Sequence, residues 1–116
     1  MTAADLLARD FAIVTNLIRA HAAEQGGKTA LADDAGTVSY AELDGRMDRI
    51  AAALQRDGVR PGQAIAILAY ASNEYAALFL GIVRAGAVAA PISPSATPAA
   101  IAAMVADCGA PITFAD

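Results

Sequence analysis

Apolar positions recur at helical spacing in four places along the chain and as short continuous runs between them. Phe11, Val14, Ile18 and Ala22 fall three or four residues apart, which predicts one amphipathic helix from about Asp5 to Glu24, closed by Gly26-Gly27. Thr29–Ala32 and Thr37–Ser39 flank Asp33-Asp34-Ala35-Gly36, a composition that suits a reversal, so a short β-hairpin is expected. Ser39 with Glu42 three residues on forms a capping-box pattern, expected to satisfy two orphan amide donors at the start of the next helix. Leu43, Met47, Ile50 and Leu54 line its face, Glu42 and Arg46 are spaced to pair, Gly58 stops it and Pro61 forbids resumption.

Beyond Pro61 the pattern changes. Ala64–Ala69 reads as a buried strand, followed by a helix capped by Asn73, with Leu78, Phe79, Ile82 and Val83 on one face and Gly86 at its end. Gly81 inside that helix is expected to permit close contact with a sheet. Ala87–Ala90 reads as a second strand stopped by Pro91. Thr97 caps a third helix with Pro98 at its first position, Ile101, Met104 and Val105 on its face and Gly109 at its end. Pro111–Ala115 completes the pattern as a third strand. Strand, helix, strand, helix, strand with short links implies parallel crossovers. The expected fold class is therefore α/β: a three-layer parallel βαβαβ half-sheet, preceded by an N-terminal helix and a short β-hairpin. The segments divide as a helical extension over 1–28, a hairpin and capped helix over 29–62, and the βαβαβ unit over 63–116.

Charge sharpens this picture. Residues 1–60 carry sixteen charged side chains, whereas residues 61–116 carry four: Glu74, Arg84, Asp107 and Asp116. Strands covered on both faces lose their alternation, and a stretch so poor in charge cannot present solvated surface on every side. Either a second copy covers it or more polypeptide follows Asp116. Of 116 residues 57% are apolar, but alanine supplies 32 of them, which leaves enough larger side chains for one small core. The uncharged run Ala85–Ala106 has bilayer length, yet Pro91, Pro94 and Pro98 remove backbone donors within it, so no membrane span is expected. A net charge of −4 with dispersed basic residues argues against a nucleic-acid partner. A single cysteine, Cys108, and no cationic stretch before an apolar N-terminal run are in keeping with a cytoplasmic protein.

Candidate chemistry is sparse. His21 is the only histidine and has no nucleophile nearby in sequence, so a surface or core role is expected. One histidine and one cysteine are too few for a zinc cage. Cys108 falls at the wrong end of a helix for a low-pKa thiolate. Asp33-Asp34 in a turn and Asp44 with Asp48 on a helix read as solvated carboxylates. Gly81–Gly86 mimics the opening of a P-loop, but Ala87 and Val88 stand where the lysine and hydroxyl belong, and the segment runs from helix to strand.

Two segments carry a resemblance. Val38-Ser39-Tyr40-Ala41-Glu42-Leu43 resembles the first core motif of the adenylate-forming superfamily, and Ile82 through Pro94 resembles the second, with Gly58-Val59-Arg60-Pro61-Gly62 and Asn73-Glu74 suitably placed between them. The likeness covers about residues 29–116. It implies the start of a larger N-terminal domain in an ATP-dependent carboxylate ligase, most similar to the acyl- and aryl-CoA synthetases. In that family a carboxylate displaces pyrophosphate from ATP, and a thiol, commonly of coenzyme A, then displaces AMP. The resemblance implies ATP, Mg²⁺ and coenzyme A for the intact enzyme, and a small carboxylic acid as substrate. The superfamily's phosphate loop, ribose-binding aspartate and lid lysine belong to later sequence. No catalytic, cofactor-binding or metal-binding residue is therefore expected among residues 1–116, and the segment alone is expected to be inactive. Ser93-Pro94-Ser95 lacks the basic residue that CoA-forming relatives often place there. An amino-acid adenylation domain loading a carrier protein, or a non-catalytic α/β interaction module, are the alternatives.

Overall fold

The computed structural model describes residues 2–116. The chain first folds as two helices, α1 (Ala3–Leu7) and α2 (Val14–Gln25), where the periodicity predicts one. Ala3 and Leu6 are buried against Ala20 and Leu17, and the Ala3 amide donates to Glu24 Oε1 at 2.8 Å. Such contacts require the chain to double back, which a continuous helix cannot do. The predicted apolar face is also wrong in part: Ile18 is buried, whereas Phe11 is 87% exposed and Val14 is exposed. α1 carries the reciprocal capping box, between Thr2 and Asp5.

The hairpin forms as expected from β1 (Thr29–Asp33) and β2 (Gly36–Ser39), antiparallel. The Asp33 carboxylate accepts the amides of Ala35 and Gly36 at 2.8 and 3.1 Å, closing the turn. Helix α3 (Tyr40–Arg56) then starts at Ser39, whose hydroxyl accepts the Glu42 amide at 3.2 Å. Glu42 does not complete the box, because its carboxylate accepts a hydrogen bond from the Ser39 hydroxyl at 3.2 Å. One amide donor is satisfied instead of two, and among the described residues Glu42 makes no ion pair with Arg46. Leu43, Met47 and Leu54 are buried as predicted, with Ala51 beside them in place of Ile50.

The parallel sheet has the order β4-β3-β5, built from β3 (Ala64–Leu68), β4 (Val88–Ile92) and β5 (Thr113–Ala115). Registers pair Ala64 with Val88 and Ala66 with Thr113. β3 is central, with Ile65, Ala66 and Ile67 fully buried. Ile65 and Ile67 join Ala51, Leu54, Ile82, Ala85 and Ala87 in the main core, beneath α3 and α4 (Asn73–Arg84). Residues on a strand alternate between faces, so Ala66 looks the other way, and α5 (Pro98–Cys108) packs on β3 and β4. A second core joins Ile18, Val38, Leu43, Met47 and Ala77 beneath the hairpin.

Three further expectations are corrected. Ser72, not Asn73, caps α4 by accepting the Tyr75 amide at 3.0 Å, which frees Asn73 for other partners. Gly81 faces a helix and not the sheet: a Cβ there would stand 2.6 Å from Ile50 Cγ2, so α3 and α4 cross where α4 has no side chain. Pro91 lies inside β4 and does not end it. β4 is an edge strand, and the Val88 amide donates to Gln63 O at 2.8 Å. With period two, the nitrogen of residue 91 faces outward, where a missing donor costs nothing. Thr97, Pro98 and Gly109 act as predicted, Gly109 adopting the left-handed conformation with φ 65°. β5 is shorter than expected, because pairing to β3 begins at the Ile112 carbonyl.

Candidate functional site

In open α/β sheets ligands bind beyond the carboxyl ends of the strands. Here that edge holds a shallow cleft of about 170 Å³ between Ile67 and Ala69 of the β3 end, Tyr75 and Leu78 of α4, and Phe114 and Asp116 after α5. Its polar groups are mostly engaged. The Ser72 hydroxyl caps α4, and Asp116 accepts the Tyr70 amide through Oδ2 at 3.3 Å while its own amide donates to Leu68 O at 3.3 Å. Glu74 stands in the first turn of α4, where it already complements the helix dipole. Two carboxylates at this edge do not suit a phosphate group.

The strongest electrostatic arrangement lies elsewhere, between the helices. Arg84 near the end of α4 donates from Nη1 to Asp44 Oδ1 at 2.8 Å, to Asp48 Oδ1 at 3.1 Å and to the Asp44 carbonyl at 3.0 Å. Its Nη2 donates to the Thr15 carbonyl at 2.9 Å. Arg19 of α2 approaches the same pair, with Nε 3.4 Å from Asp44 Oδ1 and Nη2 on Asp48. The Asp44 carboxylate beside it, with a smaller contribution from Asp48, raises the Arg19 pKa above its ordinary value. Two cations and two anions thus join α2, α3 and α4, and Arg19, Asp48 and Arg84 of this group line a cleft of about 580 Å³. The guanidinium groups are already paired, so they do not form a vacant phosphate cradle.

Asp44 and Asp48 are therefore partners of arginines and not free solvated carboxylates, which corrects the sequence reading. A signal was available: Arg84 is the only cation between Pro61 and Asp116, and Asp44 and Asp48 stand at the i,i+4 spacing that repels unless a cation intervenes. A lone charge in apolar surroundings needs a buried partner. Asp33 is more than a turn residue. It also accepts the Asn73 amide at 2.8 Å, while Asn73 Nδ2 donates to Gly36 O at 3.0 Å, tying the hairpin to the start of α4. The Asn73 amide, then those of Ala35 and Gly36, hold the Asp33 carboxyl below its ordinary pKa.

The other candidates occupy structural places. His21 is half-buried, with Nδ1 2.8 Å from Gln25 Nε2 and its ring 5.0 Å from that of Tyr40. Cys108 ends α5 and its thiol donates to the Val105 carbonyl at 3.4 Å. Gly86 follows the α4 cap with φ 82° and leads into β4, the reverse of a P-loop. The first motif places Val38 and Leu43 in the core beneath the hairpin, and the second places Ile82, Ala85 and Ala87 in the core beneath the sheet. Among the described residues no group of three histidine, cysteine, aspartate or glutamate side chains is placed to hold a metal ion.

The comparisons with known proteins agree with the motif positions. The chain is 40% identical over 106 residues to hybrid PKS-NRPS synthetase 1 of Dothistroma septosporum (strain NZE10 / CBS 128990), covering 89% of this chain and 3% of that protein. It superposes on a benzoate CoA ligase from Burkholderia xenovorans LB400 with a TM-score of 0.84 and 30% identity, over 90% of this chain and 22% of that one. An anthranilate CoA ligase in complex with anthranoyl-AMP gives a TM-score of 0.85 and 25% identity, over 99% of this chain and 22% of that one. The chain therefore spans a small part of each protein it matches. The model of the AMP-binding enzyme family matches residues 18–116, nearly the whole chain, and with both motif segments seated in its two cores this chain belongs to that family.

Proposed function

We propose that the protein carrying these residues is an ATP-dependent acid–thiol ligase, which joins a small carboxylic acid to AMP and then to the thiol of coenzyme A. In this reading residues 1–116 begin a larger N-terminal domain: the helical extension over 1–28, the hairpin and capped helix over 29–62 and the βαβαβ unit over 63–116 act together as its scaffold. The reacting groups belong to other parts of the polypeptide. One observation carries the reading: 99% of the chain superposes on a ligase bound to its acyl-adenylate, with a TM-score of 0.85. What these residues do is hold position. Arg84, in the second motif, is fixed to the backbone of α2 and α3, so the turn at Gly86 and the start of β4 are set relative to the first motif. The remainder of the same polypeptide covers α5 and β5, none of whose residues is buried. A cytoplasmic location is supported by the lone cysteine and by the absence, among the described residues, of any helix long and apolar enough to cross a membrane.

A second reading, an adenylation domain that loads a carrier protein, is favoured by the 40% identity to a PKS-NRPS synthetase. ATP–pyrophosphate exchange by the full natural polypeptide, with aryl, fatty and amino acids, tests both. Exchange driven by an aryl or fatty acid, followed by a coenzyme A thioester detected by mass spectrometry, is expected. Exchange with amino acids alone and no such thioester transfers the assignment to the carrier-loading reading. Exchange with none of these acids overturns both.

A further inference from the structure

The cleft of about 580 Å³ between α2, α3 and α4 has the size of a small-molecule site, which runs to ~300–1,000 Å³. It reaches Gly86, which leads into β4, so it sits at the amino ends of the parallel strands. Open α/β sheets bind their ligands at the opposite ends, and this cleft is separate from that edge. Thr15 lines it and, at 6% exposure, is the only buried polar residue among the described residues. Its carbonyl accepts Arg84, whereas its hydroxyl makes no hydrogen bond to any described residue. No sealed-in side-chain oxygen lacks a partner among those residues, so this hydroxyl opens to the surface, and the cleft is the surface that Thr15 lines. A buried polar group without a partner calls for one.

Two charges in the same cleft have bonding capacity left over. Arg19 uses Nε on Asp44 and Nη2 on Asp48, which leaves Nη1, and Asp48 meets both arginines through Oδ1, which leaves Oδ2. Both side chains line the cleft, at 55% and 54% exposure. Their opposite charges cancel, so the site favours neither a phosphate nor a lone cation. A molecule with one carboxylate beside one ammonium satisfies both through charge-assisted hydrogen bonds. Ile13, Ala52 and Val83 supply an apolar wall for the rest of it. We infer that this cleft binds a small zwitterion, a free aliphatic α-amino acid. Its carboxylate meets Arg19 Nη1 and the Thr15 hydroxyl, and its ammonium meets Asp48 Oδ2. The inference goes beyond the ligase reading and does not rest on it, because the amino acid is held here and undergoes no reaction.

Isothermal titration calorimetry of the full natural polypeptide, without ATP, tests it with L-leucine, with isocaproate, which lacks the ammonium, and with isopentylamine, which lacks the carboxylate. L-Leucine is expected to bind, and each analogue at least about tenfold more weakly, as loss of a charge-assisted hydrogen bond implies. Arg19→Met is expected to weaken leucine binding about tenfold and Thr15→Val about fivefold. Thr15→Ser keeps the hydroxyl and is expected to bind within about twofold of the unaltered protein, which separates loss of the contact from damage to the fold. No leucine binding overturns the proposal, including where another part of the same polypeptide fills the cleft. So does equal binding of either analogue, or equal loss in Thr15→Ser and Thr15→Val. Leucine that binds the unaltered protein and Arg19→Met alike occupies another place, such as an acid site of the ligase, and overturns it too. Failure of the ligase reading leaves these titrations unaffected, because no turnover is measured.

Discussion

Arg84→Met is the most informative single change, because it removes the guanidinium and keeps the length of the stem. The side chain is 12% exposed and its two terminal nitrogens reach two backbone carbonyls and two carboxylates on α2 and α3. Hydrogen bonds from a charged donor contribute ~1.5–3 kcal/mol each. The carbonyls of Thr15 and Asp44 lose that donor outright, while Asp44 keeps Arg19 and is itself 20% exposed, so water recovers part of the loss. The net cost is about 2–4 kcal/mol. Amide hydrogen exchange in the full natural polypeptide reads this locally, without assuming that the whole protein unfolds in one step. At ~1.4 kcal/mol per tenfold, amides in Tyr40–Arg56 and Asn73–Arg84 are expected to exchange about 30- to 700-fold faster. Arg19→Met serves as the control: at 55% exposure it is expected to cost no more than ~1 kcal/mol. Arg84→Lys falls between, since one ammonium cannot span the partners of a planar fork. Equal effects from Arg19→Met and Arg84→Met, or none from either, would refute the argument that burial gives this network its worth.

Two further outcomes follow from particular contacts. Gly81→Ala gains ~1 kcal/mol of helix propensity but forces its Cβ against Ile50, an overpacking that costs ~1–3 kcal/mol. Combined with Ile50→Gly, which removes both Cγ2 and the Cβ that would stand 2.7 Å away, it is expected to cost less than the sum of the single changes by at least ~0.5 kcal/mol in α3 and α4 exchange, and strict additivity would sink the reading. Asp33, whose folded pKa is depressed by three amide donors, contributes stability that is present above its unfolded pKa and lost as pH falls through the folded value. The Asn73 amide resonance in asparagine-labelled protein is expected to titrate with a midpoint below the ordinary ~3.9, and not at all in Asp33→Asn. A midpoint at or above the ordinary value would contradict the three-amide geometry.

What the sequence determined by itself was local, and not all of that, since the cap of α4 falls on Ser72 and the Ser39–Glu42 box forms only by half. Helix α3, the hairpin turn at Asp33, the Thr97–Pro98 start and Gly109 end of α5, and the three parallel strands were legible because caps, turns and periodicity act over three or four residues. The two motif segments were legible for the same reason, as fixed residues at fixed spacing. Tertiary structure decided the rest. The break between α1 and α2 comes from packing Leu6 on Ala20, Gly81 meets Ile50 from thirty-one positions earlier, and Arg84 finds Thr15 across sixty-nine. Each joins residues whose separation along the chain says nothing about their distance in space. Burying the apolar faces of helices and sheet sets those distances, and a lone buried arginine must then find its carboxylates wherever the packing has brought them.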